Sequence, residues 1–280
     1  MRAILSKAPG LPDTLVLEDV PSPVARAGEV LISVKAVGVN FPDFLIIQDM
    51  YQYKPQRPFS PGGEISGVVK AVGEGVTAFK VGDKVFGSTG AGGMAEEIVV
   101  HASRMNALPD FMPFEEAAAL LMTYGTSHHA LKQRGRLQPG ETLLVLGAAG
   151  GVGLAAVQLA LLRGAVVTAQ CALNKAAPLR QMGALILDRE STPKVRSFDV
   201  VIDVVGGDGF SDRLDALKPG GRYATSGAVG GPHRSQADRA VAHHQRGHPV
   251  LGGGRRIAVP AELRVVVGVD VDKAGGHHLA

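Results

Sequence analysis

Residues 141–160, Glu-Thr-Leu-Leu-Val-Leu-Gly147-Ala-Ala-Gly150-Gly151-Val-Gly153-Leu-Ala-Ala-Val-Gln-Leu-Ala, constrain the fold more than any other stretch of the chain. A short apolar run meets four clustered glycines and then turns amphipathic, which reads as a strand, a tight turn and a helix. Glycine lets the backbone turn sharply and approach a pyrophosphate, and the free N–H groups and positive dipole end of the next helix supply the anion site. The candidate phosphate-binding residues are therefore Gly147, Ala149, Gly150, Gly151, Val152 and Gly153, and a dinucleotide is the expected ligand. The uncharged length between Glu141 and Arg163 invites a membrane-helix reading. Glycines in its middle, Pro139-Gly140 and Arg163-Gly164 at its ends and the β-rich run 165–171 directly after it argue against that reading.

The same unit bears on which dinucleotide. An NAD site usually carries Asp or Glu about 20 residues past the glycines, whereas an NADP site omits that charge and offers cations to the 2′-phosphate. No acidic residue occurs from Leu154 to Leu187, and Lys175 falls just after the second strand of the unit. NADP(H) is the expected cofactor, with Lys175 at its 2′-phosphate; a solvated helix charge is the alternative for Lys175, as for Arg180.

With 280 residues the chain can bury a sizeable core, and its length suggests two domains. A net charge of +3 without basic runs or interleaved aromatics gives no reason to expect nucleic acid as a partner. Cys171 is the single cysteine, so a disulfide framework or a site of several thiolates is excluded and a cytoplasmic location is expected. The start, Met1-Arg-Ala-Ile-Leu-Ser-Lys7, has too short an apolar part for a signal sequence and reads as a first strand.

Short β-type runs separated by Gly and Pro, at 2–5, 15–18, 29–39, 63–72, 84–86 and 95–100, predict a partly open β-barrel. From Pro113 the texture becomes helical, with Glu115 and Glu116 in a first turn, and a second helix is expected over 125–133. Beyond the glycine turn, helix 175–182, strands 184–187 and 198–205, helix 210–217 and strand 222–225 continue the alternation. That alternation predicts an α/β fold with a parallel sheet covered on both faces.

Several ordered blocks carry a family resemblance: Gly38-Val-Asn40-Phe-Pro-Asp43, Pro58-Phe-Ser-Pro-Gly-Gly-Glu64, Val69-Lys-Ala-Val-Gly73, Phe79-Lys-Val-Gly-Asp83-Lys-Val-Phe, Thr123-Tyr-Gly-Thr126, the glycine turn, and Asp203-Val-Val-Gly-Gly-Asp208. Over residues 1–231 the chain resembles the zinc-independent quinone oxidoreductases of the medium-chain dehydrogenase/reductase superfamily. The resemblance implies a GroES-like catalytic domain over 1–122, a Rossmann doubly wound NADP-binding domain over 123–231, and a nicotinamide lying between them. It also implies that Asn40 and Asp43 stand near the nicotinamide, that Tyr51 covers the acceptor side and that Thr126 contacts the nicotinamide end. A family-type homodimer and a small-molecule acceptor, a quinone or an enone, are implied in the same way. An enoyl or alkenal reductase uses the same hydride donor, and a nucleotide-binding protein without turnover is the alternative from another class.

Zinc-using relatives have Cys and His-Glu where this chain has Asn40 and Gly63-Glu64, and they carry a four-cysteine lobe that is absent here. Catalytic zinc needs about three N, S or O ligands from the protein, so no metal is expected and Glu64 is read as a structural hydrogen-bonding group. The pair His128-His129 suggests neither a metal site nor acid–base work, because neighbours on a helix point apart; one of them is expected to pack against the preceding turn. After Gly231 the resemblance stops. Residues 232–280 hold six of the nine histidines and no Phe, Tyr or Met, and are expected to form an atypical, poorly packed segment in which only 264–270 looks like a strand. A frame-changed or degenerate end is the reading of that shift, with a His-rich metal-binding tail as the functional alternative.

Overall fold

The computed structural model describes residues 1–207 and 209–226 and the backbone of 264–267. The chain separates into two compact units, with the boundary between Met122 and Thr123.

The first unit is built from β1 (Arg2–Leu5), β2 (Val16–Asp19), β3 (Glu29–Val39), helix α1 (Phe41–Ile46), β4 (Glu64–Val72), β5 (Lys84–Ser88), β6 (Glu97–His101), β7 (Met105–Ala107) and helix α2 (Phe114–Ala117). β1 and β2 pair as an antiparallel ribbon, while β3, β4, β5 and β7 follow one another across a sheet. β6 lies antiparallel to β3 over Glu29–Ser33. Branched residues that the sequence groups into short runs, among them Ile4, Val30, Ile32, Val37, Ile65 and Val85, form its core. Two short elements, α1 and β7, had no counterpart among the expected strands and helices, and α2 stops after one turn.

A helical segment wound in π turns over Leu121–Gly125 and Ala130–Arg134 around α3 (Thr126–His129) crosses the boundary between Met122 and Thr123 and leads into the second unit. Then come β8 (Thr142–Leu146), α4 (Gly151–Leu162), β9 (Val166–Cys171), α5 (Ala177–Gln181), β10 (Leu185–Asp188), β11 (Phe198–Asp203), α6 (Phe210–Asp215) and β12 (Leu217–Thr225). The five strands are parallel in the order β10-β9-β8-β11-β12. Successive side chains of a strand point to opposite faces. Leu143 and Val145 of β8 accordingly enter one core, with Val157, Val167, Leu179 and Ile202, while Leu144 and Leu146 enter another with Phe198, Val201 and Ala216. Both faces of the sheet are covered, as the alternation of elements predicts. α4 departs from its expected amphipathic pattern: Gln158 is its one polar side chain, and Leu162 at its end is 86 % exposed.

A last strand, β13 (Arg264–Val267), pairs in parallel with β3 over Ala36–Val39 and so belongs to the first unit's sheet. It falls within the stretch expected to be a strand; apart from it, the expectations for 232–280 lie outside the described residues. Among the described residues no helix is long and apolar enough to cross a membrane.

Candidate active site

The second unit holds the glycine turn. β8 is fully buried along Leu143–Leu146 and delivers the chain to Gly147, whose φ of +69° is a conformation that side chains rarely adopt. A Cβ at Gly147 would also stand 2.8 Å from Cγ2 of both Val204 and Val205. The Ala148 N–H donates to Gln170 O (3.1 Å) and the Gly150 N–H to Gly147 O (3.1 Å), which ties the turn to β9 and to itself. Gly150 caps α4, and the first-turn N–H groups of Gly151, Val152 and Gly153 have no acceptor within the helix. Gly153 sits so close to the turn that a Cβ there would lie 2.2 Å from Gly147 O, whereas one at Gly150 would meet nothing nearer than Gly147 O at 3.5 Å. The two glycines differ in kind: Gly153 permits helix and turn to touch, and Gly150 leaves open space over the helix end.

That turn follows β8, which is bordered by β11 and β9. The chain winds one way from β8 through β9 to β10 and then crosses back to β11, so the helix end lies at the carboxyl ends of the strands where the winding reverses. Ligands of open α/β sheets bind at this point. A pyrophosphate therefore fits the residues present: backbone donors, a positive helix end, no acidic side chain in the first turn of α4, and open space over Gly150.

The loop after β11 is held by Asp203, a residue without an assigned role in the sequence reading. Its carboxylate is fully buried and accepts from the N–H groups of Val205 (2.8 Å) and Gly206 (3.0 Å), from Arg213 Nη1 (2.8 Å) and from the Tyr223 hydroxyl. Burial works to raise this carboxyl, but the hydrogen bonds from Tyr223, Gly206 and Val205 and the Arg213 charge outweigh it and hold it below its ordinary value. Burial and the carboxylate together push the Tyr223 phenol up. Val204 and Val205, the residues packed on Gly147, are thus fixed by a buried ion pair. An Asp at a strand end followed by Val-Val-Gly-Gly was the visible signal; Arg213 and Tyr223 arrive from elsewhere in the chain. Asp208, quoted in the same block, lies outside the described residues.

β9 ends in buried Cys171, whose thiol is pushed up by burial and by Asp188, level with it at the end of β10; neither β9 nor the turn Leu173–Lys175 carries an acidic residue of its own. Lys175 closes the short turn Leu173–Lys175 with an exposed side chain, and among the described residues it forms no ion pair. Arg180 is exposed on α5. Thr126 begins α3 and lines a cavity of about 480 Å³ with His129, Arg134 and, from the end of β12, Thr225 and Ser226. His128 and His129 are both exposed, contrary to the packing expected of one of them, because Ser127 and Ala130 take the inward positions of that turn. His129 Nε2 accepts from Arg134 Nε (3.2 Å).

In the first unit, Asn40 caps α1 and its N–H donates to Asp43 Oδ2 (2.8 Å). Asp43 Oδ1 accepts from the N–H groups of Gly62 (3.1 Å) and Gly63 (3.0 Å), so this carboxylate pins the loop before β4. Glu64, buried, accepts from the N–H groups of Leu121 and Met122 through Oε1 and from Asn40 Nδ2 (3.1 Å) through Oε2. Burial pushes both carboxyls above their ordinary values, against these hydrogen bonds. A zinc ion does not fit here. Both oxygens of Glu64 are engaged by N–H donors, its neighbours at the corresponding positions are Asn40 and Gly63, and among the described residues no three His, Cys, Asp or Glu side chains stand together as a ligand set.

Asp43 and Tyr51 meet in a cavity of about 250 Å³ that is also lined by Ile46, Tyr53, Thr89 and Arg104. Asn40 is not part of its lining; it reaches the cavity only through Asp43. Tyr51 packs from one side on Ile46, Ile47 and Phe59. Of the four residues expected at the reacting end, the structure gathers Asp43 and Tyr51, supports them with Asn40, and puts Thr126 in the second unit.

Comparison with known proteins gives the following. Residues 26–110 match the family described as alcohol dehydrogenase GroES-like domain, and residues 151–264 match the family described as zinc-binding dehydrogenase. The chain is 38 % identical over 229 residues to quinone oxidoreductase-like protein 2 of Bos taurus, an alignment that takes in 78 % of this chain and 66 % of the relative. It thus spans just under two thirds of that protein's length. Among solved structures, a mycobacterial protein complexed with NADPH superposes with a TM-score of 0.76 at 34 % identity, covering 86 % of this chain and 78 % of that one. A quinone oxidoreductase of Pseudomonas syringae pv. Tomato DC3000 superposes with a TM-score of 0.77 at 28 % identity, covering 97 % and 82 %.

Proposed function

The chain belongs to the medium-chain dehydrogenase/reductase superfamily, and from that membership we propose that it is an oxidoreductase that uses NADPH to reduce quinones or similarly conjugated carbonyl compounds without zinc. The observation that carries the reading is the glycine turn. Gly150 leaves open space over the N-terminus of α4 while Gly153 locks the helix against the turn, an arrangement suited to a pyrophosphate. When bound, the reduced nicotinamide supplies a hydride. The first-turn N–H groups of α4 bind the phosphates, Lys175 faces the 2′-phosphate, and the Tyr51 cavity orients a flat acceptor and excludes water from it. Support for the cofactor comes also from the NADPH-bound mycobacterial relative, and for the acceptor from the relatives named as quinone oxidoreductases.

The test is NADPH oxidation against a panel of quinones and enones, with NADPH binding measured alongside. Binding without oxidation of any of them would leave a nucleotide-binding protein without turnover. In the same assay Lys175→Ala should weaken NADPH by roughly tenfold, the worth of one charge-assisted hydrogen bond of about 1.5 kcal/mol, and leave NADH unchanged. Equal losses for both cofactors would remove Lys175 from the 2′-phosphate. Turnover should also survive a strong chelator, because the carboxylate nearest to a zinc position, Glu64, is engaged by three N–H donors; loss of activity that added zinc restores would overturn the zinc-free reading.

A further inference from the structure

The cavity beside Tyr51 contains a cation that the reduction as described leaves without a task. Two charged side chains line it, Asp43 and Arg104. Asp43 turns both of its oxygens toward the N–H groups of Asn40, Gly62 and Gly63 and is buried. Arg104 is its opposite in each respect. Its side chain is exposed, it forms no ion pair among the described residues, and its one hydrogen bond runs from Nη1 to Thr89 O at 3.3 Å. The backbone that carries it is fixed: Arg104 closes a turn between β6 and β7, and its carbonyl lies so near Gly87 of β5 that a Cβ on that glycine would stand 2.4 Å from it. A guanidinium carried on a fixed backbone thus lines a pocket whose other walls include two phenol rings and an isoleucine.

Guanidinium presents a planar fork of donors that matches a carboxylate bidentately, and an aromatic wall favours a flat, conjugated body. At about 250 Å³ the cavity suits a molecule of one ring or a short chain. We propose that Arg104 selects acceptors bearing a carboxylate, so that the substrates are small conjugated ketones or aldehydes with an anionic group remote from the reacting double bond. The proposal rests on the reductase reading for its chemistry and on the cavity for its specificity. Arg104 determines which acceptor is held and takes no part in hydride transfer.

The probes are 4-(3-oxobut-1-enyl)benzoate, a conjugated ketone whose carboxylate lies across a ring from the reacting double bond, and its methyl ester, which has the same body without the charge. The wild-type protein should reduce the acid with the higher kcat/KM. Arg104→Gln should lose about ten- to a hundredfold on the acid, chiefly through KM, with the ester changed by no more than about twofold, and Arg104→Lys should recover part of the loss. Equal losses on acid and ester, or a wild type that favours the ester, would overturn the assignment. Titration of 4-(3-oxobut-1-enyl)benzoate into protein without cofactor separates carboxylate binding from hydride transfer. If the acid binds wild type but not Arg104→Gln while no acceptor is reduced, the carboxylate site stands and the reductase reading falls. If neutral acceptors are reduced while the acid does not bind, the reductase reading stands and the Arg104 site falls.

Discussion

Gly153→Ala is expected to destabilise the protein by about 2–3 kcal/mol and to abolish NADPH binding, although helix propensity alone would make this change favourable by roughly 1 kcal/mol. Propensity loses because the new methyl would stand 2.2 Å from Gly147 O and 2.7 Å from Ala148 Cα, both backbone atoms that cannot swing aside. Either α4 moves off the turn or the turn opens, and in both cases the phosphate donors lose their aim. Gly150→Ala separates packing from binding. Its methyl meets only an ordinary contact at 3.5 Å and its φ of −85° suits any residue, so stability should stay within about 0.5 kcal/mol of wild type. Its methyl would nevertheless occupy the space over the helix end, and NADPH affinity should drop by about tenfold or more. Urea unfolding and fluorescence titration of both variants decide the matter: a Gly150→Ala protein that binds NADPH normally would show that the phosphates lie elsewhere.

Asp203→Ala should cost about 3–5 kcal/mol, the usual penalty for removing one partner of a buried ion pair. It would leave the Arg213 guanidinium, whose side chain is 17 % exposed, and the N–H groups of Val205 and Gly206 without this acceptor. Because the loop so released carries Val204 and Val205, NADPH affinity should fall as well. The pH dependence has a definite sign. Asp203 has its folded pKa depressed below the ordinary 3.8, so its contribution is present above that value and disappears as pH falls through the folded value. Asp199, hydrogen-bonded by Lys218 and Thr142 and held at about 2, behaves in the same direction. Asp43 and Glu64, raised by burial, act oppositely: their contribution is complete below the unfolded value and is lost as pH rises through the folded one. The gap in stability between wild type and Asp203→Ala should therefore be widest near pH 7 and narrow as pH falls below the ordinary 3.8. A gap that stays constant with pH would mean that the side chain acts through packing and not through its charge.

What the sequence made legible and what it hid divide along the distance over which each feature is determined. β8, Gly147 and α4 were legible because a strand, a turn and a helix each declare themselves within a few residues. β3 was legible because an uninterrupted branched run is bounded by turn residues. β12 was placed too late. It was expected over 222–225, yet the strand begins at Leu217 and passes through Pro219-Gly220-Gly221 by way of a register shift against β11, with Gly220 at φ +77°. α1 was missed as a helix because six residues are too few to show a period, although Pro42 and the Asn40–Asp43 pair are helix-start signals. At the site, Asp43 was singled out from the resemblance, but its role in pinning Gly62 and Gly63 depends on a loop far along the chain. Arg104 and Tyr53 gave no local signal at all, and only the folding of β4, β5 and β7 into one sheet brings the segment of Arg104 to the cavity lined by Tyr51 and Tyr53.

One edge of β3 is shared by two strands of very different age in the life of the chain. β6 covers it along Glu29–Ser33, and β13 covers it along Ala36–Val39. A ribosome delivers β6 soon after β3, but it delivers Arg264–Val267 only after the five described strands of the parallel sheet. The first unit's sheet is consequently begun before the described strands of the parallel sheet and completed after them. Throughout translation of the second unit, the 36–39 half of that edge offers unpaired N–H and C=O groups to any neighbouring chain. A nascent polypeptide arrested after β12 would keep that opening, so premature termination would create a sticky product even with the five described strands of the parallel sheet already in place.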